Sequence, residues 1–267
     1  MYIGCNWSKA LKTLLENNAV KVDYVKSGAF GNFDKEFQTM RSMRPVLLHG
    51  LGYFENAGMK NIEVIDFNRA NELIKKCNSP HYGIHLAIRN VDMYKGMSEE
   101  AIYEHLSKNI KAFKSNLSVP LLIENTPDTT IERKENDFYP YFSPQRITEL
   151  SVNNDVYFLL DIAHAKITAK DQGLDIYDYI KRLPLNCIKE VHLVGSGYNK
   201  NGFPIDTHQA MEDEDYELLA WVLNYSKPDI VTLEYNGIEG ENEELIIKNL
   251  KEQLDKINEI CRQNNYR

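Results

Sequence analysis

Short apolar runs recur along the chain, separated by stretches in which apolar positions return with a helical period. The runs lie at 2–6, 22–27, 45–49, 82–87, 120–124, 156–161, 188–194 and 229–234. They are rich in Val, Ile, Leu and Tyr and mostly apolar throughout, which is how strands covered on both faces read. The segments between them predict amphipathic helices. Segment 98–115 sets Ile102, Leu106, Ile110 and Phe113 on one face, and 68–76, 144–150, 175–182, 213–225 and 242–263 read likewise. Start signals accompany several: Ser98 before Glu99 and Glu100, Ser143 before Pro144, and Asp213 before Glu214.

Eight strands alternating with helices predict an α/β fold, a parallel sheet closed into a (β/α)8 TIM barrel that takes residues 1–267 as a single domain. An open doubly wound sheet is the alternative, but Gly4-Cys5-Asn6-Trp7 at the end of the first strand is not a GxGxxG phosphate fingerprint. The longest irregular stretches, 50–64, 125–142 and 195–212, all follow strands. In a barrel they fall on the rim that carries active sites.

The chemistry is concentrated at those strand ends. His49, His85, His164, His192 and His208 each sit at or just past the end of an apolar run, and Glu124, Asp161, Asp206 and Glu234 share those positions. Any one of the nine alone reads as a core histidine, a helix cap or a loop anchor. Together they would place four carboxylates in mutual repulsion unless a cation lies among them. Nine donors exceed what one ion takes, about four for zinc and up to about six for iron or manganese, so two or three ions sharing carboxylates are expected. Three doubly charged ions against four carboxylates leave net positive charge, which favours an anionic ligand. No cysteine is in the set, so iron, zinc and manganese all fit it. His81, at the start of a strand, and His105, within a helix, read as structural or solvent-facing.

Composition narrows this further. The 267 residues carry a formal net charge of −8, with 43% hydrophobic and 26% charged residues, an ordinary soluble balance. The absence of a global basic field argues against non-specific nucleic-acid or anionic-membrane binding and leaves a local basic groove open. Cys5, Cys77, Cys187 and Cys261 form no CxxC pair and read as reduced, mostly buried thiols. There is no signal-peptide pattern at the N-terminus and no apolar run near the ~20 residues of a membrane helix, so the expected location is the cytoplasm.

The order His, His, Glu, Asp-x-x-His, His, Asp-x-His, Glu resembles the xylose-isomerase-like metal barrels, and within them endonuclease IV, which holds three zinc ions. Three stretches are similar to the multinuclear non-haem iron-dependent oxidases: 44–52 (RPVLLHGLG), 159–184 with its LLDIAH and KDQGLD segments, and 188–208 with KEVHLVG and IDTH. That resemblance covers most of the chain, from about Pro45 to Glu234. It implies oxidative modification of a ribosomally made peptide, often at cysteine, by a mixed-valence iron cluster and dioxygen. It also implies a small partner protein presenting the peptide leader, here as a separate chain because no appended domain follows the eighth strand and its helix. Carried over by position, His49, His85 and Glu124 form one subsite, Glu124, Asp161, His192 and Glu234 the central one, and His164, Asp206 and His208 a third with catalytic roles. Many members of that family have Asn at the position of His164, and Lys26-Ser27-Gly28 stands where an acidic Glu-Asn pair is frequent. Tyr53, Asn125, Tyr198 and Asn236, just past strand ends, are candidates to line a substrate pocket.

Three other functions compete. Hydrolysis of abasic DNA predicts a basic rim, for which Lys166, Lys170, Lys200 and Arg133 are available but diluted by Glu132, Asp171, Asp175 and the acidic run 212–215. A sugar isomerase or epimerase with one divalent ion would use Glu124 and Glu234 and leave His49, His164, Asp206 and His208 without a task. A non-enzymatic binding module would hold no metal.

Overall fold

A computed structural model describes residues 1–52, 55–88, 97–135, 142–238 and 240–265. Strands β1 (Tyr2–Asn6), β2 (Tyr24–Ser27), β3 (Val46–His49), β4 (Tyr82–Leu86), β5 (Leu121–Asn125), β6 (Tyr157–Asp161) and β7 (Ile188–Leu193) are each parallel to their neighbours. The eighth barrel strand, β10 (Ile230–Leu233), pairs with both β7 and β1 and closes the barrel. Each barrel strand lies within two residues, at either end, of its expected bounds.

The period-2 alternation of the strands separates two interiors. Val25, Val46, Leu48, Ile84, Ile123, Leu160, Val191 and Leu233 belong to the apolar cluster shared with the surrounding helices. The alternate positions face the barrel axis. There Gly4 lies so close to β10 that a Cβ would stand 2.3 Å from Thr232 Oγ1 and 3.0 Å from Leu47 Cδ1. One step further along the same parity, at the carboxyl ends, come Lys26, His49, His85, Glu124, Asp161, His192 and Glu234. A ring of polar side chains over an axial layer is what a (β/α)8 barrel presents at its active rim.

The helices are α1 (Lys9–Glu16), α2 (Phe33–Met43), α3 (Phe67–Cys77), α4 (Glu99–Asn116), α5 (Thr130–Glu135), α6 (Pro144–Asn154), α7 (Ile162–Asp171), α8 (Ile176–Lys181), α9 (Asp213–Tyr225) and α10 (Glu243–Asn265). Ser98 and Ser143 cap α4 and α6 by accepting from Ala101 N and Arg146 N. Helix α9 is capped one residue earlier than its Asp213 signal: Glu212 and Asp215 form a reciprocal capping box. The last turn of α6 runs past the expected end because Ser151 and Asn154 donate back to the carbonyls of Ile147 and Leu150. Leu250, Leu254, Ile257 and Cys261 form the buried stripe of α10, which packs beside α1 and α9.

Several features depart from expectation, among them helix α5 (Thr130–Glu135) inside the stretch 125–142 that was expected to be irregular. The stretch 195–212 is not irregular: β8 (Gly195–Tyr198) and β9 (Pro204–Gln209) pair antiparallel as a hairpin over the rim. Helix α7, which was not among the expected helices, begins directly after β6: Asp161 caps it and His164 sits in its first turn. Cys5, Cys77 and Cys261 are buried free thiols and Cys187 is partly buried. Among the described residues no helix is long and apolar enough to cross a membrane.

Candidate metal centre

Glu124 stands at the middle of the carboxyl-end ring, almost fully buried, and its two oxygens face opposite ways. Oε2 lies 2.6 Å from His49 Nε2 and 3.5 Å from His85 Nε2. Oε1 lies 3.2 Å from His192 Nδ1 and 3.8 Å from His164 Nδ1. Register explains the meeting: His85 is the strand partner of Glu124, and Asp161 that of His192. Gly83 makes room for the His49 imidazole, since a Cβ there would meet His49 Cδ2 at 2.8 Å. A carboxylate with imidazoles on both oxygens has the geometry of a ligand shared between two ions.

Asp161 is wholly buried. Its Oδ1 accepts the His164 amide at 2.7 Å, while Oδ2 has no hydrogen-bond partner. A buried carboxylate oxygen left without a partner is costly and needs an explanation. Its backbone is clamped by Asn125, whose side chain donates to Asp161 O and accepts from Asp161 N, both at 2.9 Å. The orphan oxygen is therefore held in place rather than free to turn away.

His164 and His208 are oriented in the same manner. His164 Nδ1 lies 2.8 Å from the Asn125 carbonyl and His208 Nδ1 lies 3.1 Å from the Glu234 carbonyl. A carbonyl can only accept, so each Nδ1 carries the proton and each Nε2 presents its lone pair outward. Both Nε2 atoms then face one oxygen, Asp206 Oδ2, at 3.3 and 3.1 Å. Two lone pairs aimed at a carboxylate call for protons or a cation between them. His208 is held there with φ of 49°, a left-handed conformation uncommon outside glycine and concentrated at functional sites.

The charges follow from these contacts. Burial pushes the Glu124 carboxyl up, but His85, His192 and His49 outweigh it and hold the group well below its ordinary range. Burial pushes Asp161 up to about 7, with Glu234 and Glu124 adding to it against His164. His208 rises to about 9 through its hydrogen bond to Asp206. Burial pulls His192 down, yet Glu234, Glu124 and Glu190 raise it to about 10. His85 is lowered to about 4, chiefly by burial. Without ions the centre balances its carboxylates with protons on imidazoles, and a metal binding there replaces those protons.

Three donor triads each have their ligand atoms within 4.8 Å of one another: His49, His85 and Glu124; Glu124, Asp161 and His164; Asp161, His192 and Glu234. His164, Asp206 and His208 meet through Asp206 Oδ2. A cavity of about 370 Å³ opens over the centre, with His49, His85, Glu124, His164, Asp206 and His208 in its wall and Asn236 at its mouth. A larger groove of about 580 Å³ lies outside the barrel between α4 and α6, among side chains of mixed charge and away from the donors. Asn125 lies under the centre as the Asp161 clamp. Tyr198 is exposed on β8, its ring beneath Lys170, and lines a different, small pocket. Tyr53 falls outside the described residues.

Sequence reasoning did not place two groups at the centre, Lys26 and Glu190. Lys26 on β2 is buried among the donors, paired with Glu234 and 3.4 Å from His192 Nδ1. Glu190, two residues before His192, lies 3.3 Å from its Nε2 and accepts from the Thr232 hydroxyl at 2.5 Å. Its other oxygen is 2.6 Å from His81 Nε2. His81 is thus structural, buried and tied to the centre through one carboxylate, not solvent-facing. His105 is structural too, bonding the carbonyls of Gly58 and Met59. The available signal was strand parity, which points Lys26, Glu190 and His192 to the same interior.

Residues 6–262 match the family model described as "RiPP precursor modification enzyme MbnB/TglH/ChrH". A UPF0276 protein of Acaryochloris marina is 26% identical over 178 residues, covering 64% of this chain and 62% of that one. The chain spans about half to three fifths of the length of the curated relatives it matches. Among solved structures it resembles the IOLI protein with a bound zinc atom, at a TM-score of 0.68 and 15% identity over 97% of this chain and 99% of that one. A xylose isomerase domain protein of Alicyclobacillus acidocaldarius gives 0.66 and 13% identity over 98% and 99%. At these identities the structural likeness is one of fold, the xylose-isomerase-like barrel.

Proposed function

This chain belongs to the MbnB/TglH/ChrH family of RiPP precursor modification enzymes, and from that premise we propose that it is a multinuclear iron oxidase. In this reading it uses dioxygen to modify a ribosomally made precursor peptide at a cysteine. The observation that carries the metal is the clamped Asp161 carboxylate, whose buried Oδ2 has no partner while His164, His192 and Glu234 surround it. The donors fit two or three ions: His49, His85 and Glu124 on one side, Asp161, His192 and Glu234 at the centre, and His164, Asp206 and His208 on the other. All-nitrogen-and-oxygen ligation suits iron and equally admits zinc or manganese.

Bound iron supplies one-electron and dioxygen chemistry, and the protein supplies binding, orientation and exclusion of water. Glu124 holds neighbouring sites in fixed relation through its two oxygens. Asn125 fixes Asp161, and the carbonyls of Asn125 and Glu234 fix which nitrogen His164 and His208 present. Asn236 and the hairpin β8–β9 border the mouth through which an extended peptide reaches the cavity. The positive charge of a loaded centre favours a substrate thiolate over a thiol. A small leader-binding partner protein presents the peptide, and the enzyme works in the cytoplasm.

Three of the four basic residues that abasic-DNA cleavage would draw on are committed elsewhere: Lys166 pairs with Glu214 and Asp215, Arg133 with Asp128, and Lys170 with Tyr198. The test is anaerobic purification, metal analysis, and incubation with a cysteine-containing precursor peptide encoded beside the gene. Two or three irons per chain, oxygen uptake and a mass change confined to the cysteine are expected. Stoichiometric zinc without iron, or cleavage of an abasic duplex, would overturn this reading.

A further inference from the structure

Lys26 occupies ground that a metal ion would need. It projects from β2 into the barrel with its side chain only 10% exposed. Its ammonium pairs with Glu234 Oε1 and stands 3.4 Å from His192 Nδ1. These are two of the three donors of the Asp161, His192 and Glu234 triad. His192 has no alternative lone pair to offer, because its Nε2 is engaged by Glu190. An ion at the ~2.0–2.2 Å distances of imidazole and carboxylate ligation would therefore abut the ammonium. Two adjacent cations in a buried site repel strongly, and Lys26 is tethered where the ion is not.

We propose that Lys26 is a built-in cation that fills the central subsite in place of a metal, so that this chain carries a two-ion centre flanking Lys26. The inference rests on the metal reading above and makes it narrower. The donors left over divide into two sets: His49, His85 and Glu124 on one side, and His164, Asp206 and His208 on the other, with Asp161 between them. Charge supports the count. Two doubly charged ions together with Lys26 balance the five carboxylates of Glu124, Asp161, Asp206, Glu234 and Glu190. A third ion would leave two positive units uncompensated in a buried site.

Metal content decides it without recourse to activity. The parent, Lys26→Met and Lys26→Arg are each loaded anaerobically with ferrous iron, and separately with manganous ion, then desalted and their metal counted. Affinities follow from competition with a chromophoric chelator. The parent and Lys26→Arg are expected to hold two ions. Lys26→Met should hold a third, or bind its weakest ion at least tenfold more tightly. Lys26→Gln, read in the same way, serves if the Met variant does not fold by circular dichroism. Three ions in the parent or in Lys26→Arg overturn the assignment, as do equal counts and affinities in the parent and the neutral variants. No ion in any of the proteins overturns the metal reading itself, so the two failures are told apart.

Discussion

The two ends of the barrel carry the same residue types in opposite conditions. Towards the amino end, His81, Glu190 and Thr232 close on one another: the imidazole and the hydroxyl each take an oxygen of Glu190, at 2.6 and 2.5 Å. Beyond them lies a pocket of about 260 Å³ rimmed by Tyr2, Tyr24, Tyr157 and two prolines. At the carboxyl end Asp161 Oδ2 has no partner, and His164 and His208 both turn Nε2 onto the single oxygen Asp206 Oδ2. Histidine beside carboxylate therefore does not by itself mark a site. What distinguishes the carboxyl end is a clamped carboxylate oxygen, Asp161 Oδ2, that the protein leaves without a partner.

The comparison is broken most severely at Glu124, which faces both sides of the centre. Glu124→Ala should cost at least one ion per chain and lower activity by about a thousandfold or more, as read by metal analysis and peptide turnover. His192→Ala should abolish metal-dependent activity as well. Next comes the link between the two ends. Glu190→Gln keeps the volume but removes a buried carboxylate shared by His81, His192 and Thr232, and a loss of about 1–3 kcal/mol of stability is expected by denaturant unfolding. Unchanged stability would mean that the two ends are independent.

Much of this was legible beforehand. Strands buried on both faces leave uninterrupted apolar runs, so all eight barrel strands stood out, and with them the candidate donors at or just past their ends: His49, His85, Glu124, Asp161, His192 and Glu234. Helix α7 did not, because Ile162, Ala163, Ala165, Ile167 and Ala169 are all buried and the helix carries no clean polar face. The hairpin was hidden by Gly195, Gly197 and Pro204, residues that read as loop. Lys26 was read as a departure from a family pattern, whereas its place among the donors depends on the inward turn of one strand position. Asn125 was taken for a substrate contact because it follows a strand-end acid, and only tertiary structure reveals both ends of its amide on Asp161.

Asn125→Ala removes that clamp and should cost about 1–3 kcal/mol of stability, read by denaturant unfolding, together with weaker metal binding. The pH dependence sharpens the contrast further. The raised groups, His208 at about 9 and His192 at about 10, stabilise the metal-free fold fully below their unfolded value of about 6.5. That stabilisation is lost as the pH climbs through 9 to 10. The thermal midpoint of metal-free protein should therefore fall between pH 6.5 and 9.5, whereas manganese-loaded protein, with ions in place of protons, should resist the fall. Smallest of all, Ser98→Ala removes the cap of α4 away from both ends and should cost about 1 kcal/mol with no change in metal content.

Anomalous diffraction at the iron edge, from crystals of anaerobically purified protein, tests the metal centre most directly. Discrete peaks are expected over Glu124, one bounded by His49 and His85 and another by His164, Asp206 and His208. Crystals soaked in ferrous iron that show no peak within ligand distance of Glu124 or Asp206 would contradict this expectation.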